Sequence, residues 1–83
     1  MLDTEIGKQY LRDIATRHEG IIMDDNILSG MPTIRGKRVD VALVLACLIA
    51  DMTISDIAQD YGVEEHQIKN ALTYAMDVLD HPF

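Results

Sequence analysis

The chain is 83 residues long, 48% hydrophobic and 25% charged, with a formal net charge of −7 and one cysteine, Cys47. A domain of this size buries roughly 60% of its unfolded-chain surface and has a thin stability margin, while its apolar content reads against disorder. The longest apolar run, Val41–Ala50, is about half of a bilayer span, a lone cysteine forbids an internal disulfide, and the acidic start around Asp3 and Glu5 reads against a signal peptide; a cytoplasmic protein is expected.

In chain order, Ile6, Tyr10, Leu11 and Ile14 fall at helical spacing and predict an amphipathic helix from Asp3 to Arg17, with Asp3 or Thr4 as N-cap and Arg12 and Arg17 toward its end. Gly20 punctuates it. Ile21-Ile22-Met23 then reads as a short strand ending in the turn-prone Asp24-Asp25-Asn26. Thr33-Ile34-Arg35 and Lys37-Arg38-Val39 form a tight hairpin around Gly36, too short to stand alone, which pairs either with Ile21–Met23 or with another chain. Asp40 caps a helix Val41–Ala50 that is apolar nearly all round and needs cover on most sides.

Thr53 and Asp56 resemble a capping box that opens the helix Ile54–Tyr61. The stretch Ile54–Ala71 has the pattern of a helix-turn-helix: Ile57, Tyr61, Val63, Ile68 and Ala71 are apolar, Ala58 is small, and Gly62 supplies the turn. The last helix runs from Glu64 to Leu79 with Ile68, Ala71, Leu72, Ala75, Met76 and Leu79 as its expected buried stripe, and His81-Pro82-Phe83 is a tail. The expected fold is mainly α: a homeodomain-like helix-turn-helix bundle with a small β-hairpin element and an extra N-terminal helix. Residues 1–19 and 20–83 form one compact unit.

Charge is distributed unevenly. Residues 1–50 are nearly balanced at a net −1, whereas residues 51–83 carry seven acids against Lys69 and a net of −6. Nucleic-acid affinity comes largely from Lys and Arg neutralising phosphates, so the helix-turn-helix half has the wrong sign for a duplex.

The run Gly30-Met31-Pro32-Thr33-Ile34-Arg35-Gly36-Lys37-Arg38-Val39, the apolar helix after it and the motif Ala71-Leu72-Thr73-Tyr74-Ala75 resemble a bacterial and archaeal family labelled domain of unknown function 433. The resemblance spans roughly residues 20–79. It implies an antitoxin-like protein, encoded beside a small nuclease-like toxin of the PIN type. Lys37 stands where the family usually has Thr, Asp40 where Pro or a small residue is common, and Asp51 where Gly often follows the middle helix.

Arg35, Lys37 and Arg38 are the dense basic cluster, and paired guanidinium forks suit carboxylates or phosphates. Two roles are open: docking of an acidic partner or nucleic-acid backbone, or tying the loop to acids of the chain's own C-terminal half. Glu65, His66, Gln67, Lys69 and Asn70 occupy the leading face of the last helix. His66, Gln67, Lys69 and Asn70 are candidate partner or nucleic-acid contacts, opposed by Glu64 and Glu65, which also suit a helix N-terminus. His18 and His81 read as solvent-facing, and Cys47 as a buried, inert thiol. No metal-ligand spacing, phosphate loop or nucleophile triad is present, so neither an enzyme nor a cofactor is expected.

These features predict a small non-enzymatic interaction protein that binds a protein partner and forms a homodimer, with repression of its own operon as a further role. Ile6, Tyr10 and Ile14 on the first helix and Leu45 and Leu48 on the middle one are the self-association candidates. The competing reading is a DNA-binding transcription regulator whose dimer gathers Arg35–Arg38, Lys8, Arg12 and Arg17 into one basic stripe.

Overall fold

The computed structural model describes residues 4–80, with side chains from residue 7 onward. The tail at 81–83, the expected cap at Asp3 or Thr4, and the side chain of Ile6 lie outside the described residues. Four helices and one pair of strands are described: α1 Thr4–Ala15, β1 Ile21–Ile22, β2 Thr33–Ile34, α2 Val41–Ile49, α3 Ile54–Tyr61 and α4 Glu65–Asp80. The fold is therefore mainly α with a small antiparallel β element, as the sequence predicts.

The β element closes within the chain. Ile21 pairs with Ile34 and Ile22 with Thr33, and the Arg35 amide extends the register by donating to the Gly20 carbonyl at 2.8 Å. After β2 the backbone reverses around Gly36, whose φ of +79° suits a residue without a side chain, and the Ile34 amide bonds the Val39 carbonyl at 2.9 Å. Two residues per strand make no independent sheet. Ile21 and Ile34 instead anchor the pair by burial under α4.

Each helix begins or ends where local chemistry dictates. The Asp40 carboxylate accepts the Leu43 amide at 2.9 Å and caps α2. Thr53 and Asp56 form the full capping box of α3: the Asp56 amide donates to the Thr53 hydroxyl at 3.0 Å, and the Thr53 amide to the Asp56 carboxylate at 3.1 Å. The bonds from Thr53 hold the Asp56 carboxyl below its ordinary value. Gly62, at φ +67°, terminates α3.

At the end of α2, Asp51 takes φ +68° while its amide bonds the Leu48 carbonyl and the Met52 amide bonds the Cys47 carbonyl. This is the Schellman pattern, in which the left-handed position favours glycine. Asp51→Gly is expected to stabilise the chain by about 0.5–1 kcal/mol, part of the relief being lost to the freer unfolded state. A rise of a few degrees in Tm checks it.

The core collects Ile14, Ile21, Ile34, Val44, Ile57, Ile68, Ala71 and Tyr74 from every element around α4. Tyr74 is 2% exposed and its hydroxyl donates to the Leu11 carbonyl of α1 at 2.9 Å. In return the Tyr10 hydroxyl donates to the Val78 carbonyl of α4, so two tyrosines stitch the first and last helices together.

The expectations for Ile14, Met76 and Leu79 are corrected by this packing. Ile14 is 1% exposed and lies in the core, so it offers no association surface, and Tyr10 and Leu48 are only partly exposed, packed against the same core. Tyr10 and Ile14 of α1 are spent on the chain's own core. The buried stripe of α4 runs through Ile68, Ala71 and Tyr74, with Leu72, Ala75 and Val78 partly covered. Met76 and Leu79, expected inside, are 70% and 87% exposed.

Candidate functional site

Two surfaces flank α4. Residues 70 and 79 lie nine positions apart, which at 3.6 residues per turn places them on opposite sides of the helix. Asn70 lines a polar cleft and Leu79 an apolar groove.

The polar cleft, of about 290 Å³, is lined by Glu19, Gly20, Arg35, His66, Gln67 and Asn70. The hairpin bond from the Arg35 amide to Gly20 brings the loop against the leading end of α4, where Gly20 leaves room: a Cβ there would lie 3.2 Å from the Asn70 amide nitrogen. The structure thus brings together four of the predicted contact residues, Arg35, His66, Gln67 and Asn70. Lys37, Arg38 and Lys69 are exposed outside that lining.

Several polar groups of the cleft already have local tasks. Arg35 Nε donates to the Glu19 carbonyl at 2.6 Å. The Gln67 side-chain oxygen accepts the Glu64 amide at 2.9 Å, capping α4. His66 Nδ1 lies 3.2 Å from the Glu64 carboxylate. The idea that an arginine ties the loop to acids of the C-terminal half is not what the structure contains: Arg35 is held by a backbone oxygen of the segment before β1. Among the described residues, no ion pair engages Arg35, Lys37 or Arg38.

His18 corrects another expectation. It is partly buried rather than solvent-facing, with Nε2 2.8 Å from the Asp77 carboxylate and its ring edge-on to Tyr74 at 5.5 Å. A contact across 59 residues leaves no local sequence signal. Cys47 is buried, as expected, with Sγ 3.9 Å from the Tyr61 hydroxyl. No group of three or more potential metal-binding side chains occurs among the described residues.

The apolar groove, of about 240 Å³, lies between α2 and the second half of α4, with Leu11, Pro32, Val41, Leu45, Ala75 and Leu79 among its walls. Asp40 is its one charged lining residue. Ile49, one turn beyond Leu45 on α2, is 83% exposed, and Met76 lies one turn before Leu79 on α4. Of the self-association candidates whose side chains are described, Leu45 alone combines exposure with a place on this face. The missed residues were Ile49 on α2 and Met76 and Leu79 on α4, the last two reading as core until the actual rotation of α4 is known.

Four helices around a short antiparallel β pair, with a polar cleft and an apolar groove on opposite sides of the last helix, define a small mainly α domain. The chain belongs to the family described as "Protein of unknown function (DUF433)", whose model matches residues 21–75. α1 precedes the matched segment. No functionally curated protein matches the chain. It is similar to Rv2018 from Mycobacterium tuberculosis, known from a crystal structure, with 38% identity over 63% of this chain and a TM-score of 0.58. The match spans 24% of that protein, so this chain corresponds to about a quarter of its length. No helix among the described residues is long and apolar enough to cross a membrane.

Proposed function

We propose that this chain is a non-enzymatic, antitoxin-like interaction protein that binds a protein partner through the face shared by α2 and α4. The exposed Leu45 and Leu79, which line one groove, with the exposed Ile49 one turn beyond Leu45, carry this reading. Large aliphatic side chains clustered on one face of a small domain mark an interaction surface, because burying them against a partner removes apolar area from water. Membership of the family supports the antitoxin character, and a small nuclease-like protein of the PIN type, encoded next to this one, is the partner to test.

Co-expression with the product of the adjoining reading frame is expected to give a complex that survives size-exclusion chromatography. A neighbour that elutes separately from the folded chain at micromolar concentration overturns the reading.

A second reading, DNA binding, is favoured by one observation: the Arg35 loop lies beside the leading end of α4 rather than away from it. Helices of this kind enter the major groove by that end. Glu64 and Glu65 at the same end oppose it. A mobility shift on the chain's own promoter that Arg35→Ala abolishes would favour this reading.

A further inference from the structure

We infer that the groove between α2 and α4 seats one amphipathic helix of a protein partner, anchored by aliphatic side chains and flanked by Lys or Arg. The inference rests on the interaction reading above and names the chemistry of what fills this face.

The shape comes first. At about 240 Å³ the groove is below the roughly 300–1,000 Å³ of small-molecule sites, and its long walls are α2 and α4, closed at one side by Leu11, Met31 and Pro32, so it accepts a few anchoring side chains rather than a whole drug-sized molecule. Leu45 and Leu79 line the groove from the two sides, and the exposed Ile49, one turn beyond Leu45, extends the apolar face along α2. Apolar residues repeating at helical intervals on an incoming helix fit such a pair of ridges.

Charge selects the occupant. From Val39 to Ile68 the chain has no Lys or Arg, and from Asn70 to Asp80 it has none either. Among the described lining residues Asp40 alone is charged, and the last turn of α4, next to Leu79, carries Asp80 and no base. The carbonyl end of α4 adds partial negative charge. A partner with Lys or Arg beside its apolar stripe is therefore attracted and oriented, whereas an acidic one is repelled.

The same charges disfavour a second copy. A twofold dimer places the same patch on both sides, so Asp40 and Asp80 of one copy would face those of the other, and none of the described residues that line the groove is a base.

The test uses the full chain with methyl-labelled Ile and Leu and two synthetic 18-residue probes, an amphipathic Leu/Lys helix and its Leu/Glu counterpart. The Leu/Lys peptide is expected to shift the methyl signals of Leu45, Ile49 and Leu79 and to bind at least tenfold more tightly than the Leu/Glu peptide. Leu45→Ser with Leu79→Ser, both at exposed positions, is expected to weaken binding tenfold or more while circular dichroism stays unchanged. Equal binding of the two peptides, shifts that map to the polar cleft, or binding indifferent to the double substitution overturns the inference. So does a concentration-dependent dimer that shifts these same methyls without peptide, because a second copy is then the occupant. If the adjoining gene product is captured equally by the double variant, the interaction reading stands and the groove assignment falls. If the Leu/Lys peptide occupies the groove but that product is not captured, the groove stands and the antitoxin reading falls.

Discussion

Tyr74→Ala is expected to destabilise the protein by about 3–5 kcal/mol, the cost of removing a large buried aromatic side chain. Stability at roughly 0.05–0.15 kcal/mol per residue gives a chain of this length about 4–12 kcal/mol in all, so the substitution consumes a large part of the margin. Tyr74 is nearly inaccessible, packs edge-on against His18 and holds the Leu11 carbonyl, so its loss opens a cavity and loosens α1 together. Urea denaturation followed by circular dichroism measures the effect; a loss under 1 kcal/mol would mean that α4 does not depend on this contact.

Tyr74→Phe isolates the hydroxyl and is expected to cost about 1 kcal/mol, the net worth of one hydrogen bond. Burial pushes the Tyr74 phenol up from 10.0 to about 12. The unfolded chain therefore loses this proton first as pH rises. The contribution of Tyr74 is intact below pH 10 and declines between pH 10 and about 12. Tyr74→Phe is expected to flatten that alkaline limb without removing it, because the Cys47 thiol beside Tyr61 raises that phenol as well.

Gly30→Ala is the second large effect, expected to cost about 1–3 kcal/mol from strain at a left-handed position. Gly30 sits at φ +78° after two other left-handed residues, Leu28 and Ser29. A Cβ there would stand 2.5 Å from an oxygen of Asp25 and 3.4 Å from its Cα. Asp25 can rotate its carboxylate away, but doing so breaks its pairing with Lys8 at 3.8 Å and Arg12 at 4.0 Å. Gly36→Ala is the control: its φ is +79° but nothing lies within 4 Å of the added carbon, so it reports backbone strain alone. The two variants are expected to differ in chemical denaturation, with Asp25→Ala restoring part of the difference in the Gly30→Ala background. Equal losses for the two glycines would rule out the contact with Asp25 as a separate contribution.

Features encoded by neighbouring residues were legible in the sequence. The caps at Asp40 and Thr53/Asp56, the turn at Gly62 and the reversal at Gly36 involve groups a few residues apart, and the structure reproduces them. The rotation of α4 was not legible. A stripe through Met76 and Leu79 and one through Tyr74 and Val78 both satisfy helical spacing, and Tyr, being amphipathic, gives no preference until its hydroxyl finds a carbonyl. That carbonyl belongs to Leu11, 63 residues earlier. The same long range hid Arg35 on Glu19 and His18 on Asp77. The candidate contacts on α4 were legible as polar positions at a helix start; their meeting with Arg35 required the β1–β2 register.

The crossed tyrosine bonds between α1 and α4 bear on the order of assembly. They span 63 and 68 residues, whereas α2, α3 and α4 follow one another directly along the chain and pack through nearer contacts. Closing a loop that long exacts its entropy before the contacts form, so the three later helices are expected to assemble first and α1 to dock last. Pulse-labelled amide exchange reads this as late protection of Tyr10–Ala15. The helix lying outside the family match thus acts as a latch, closing over a domain already in place.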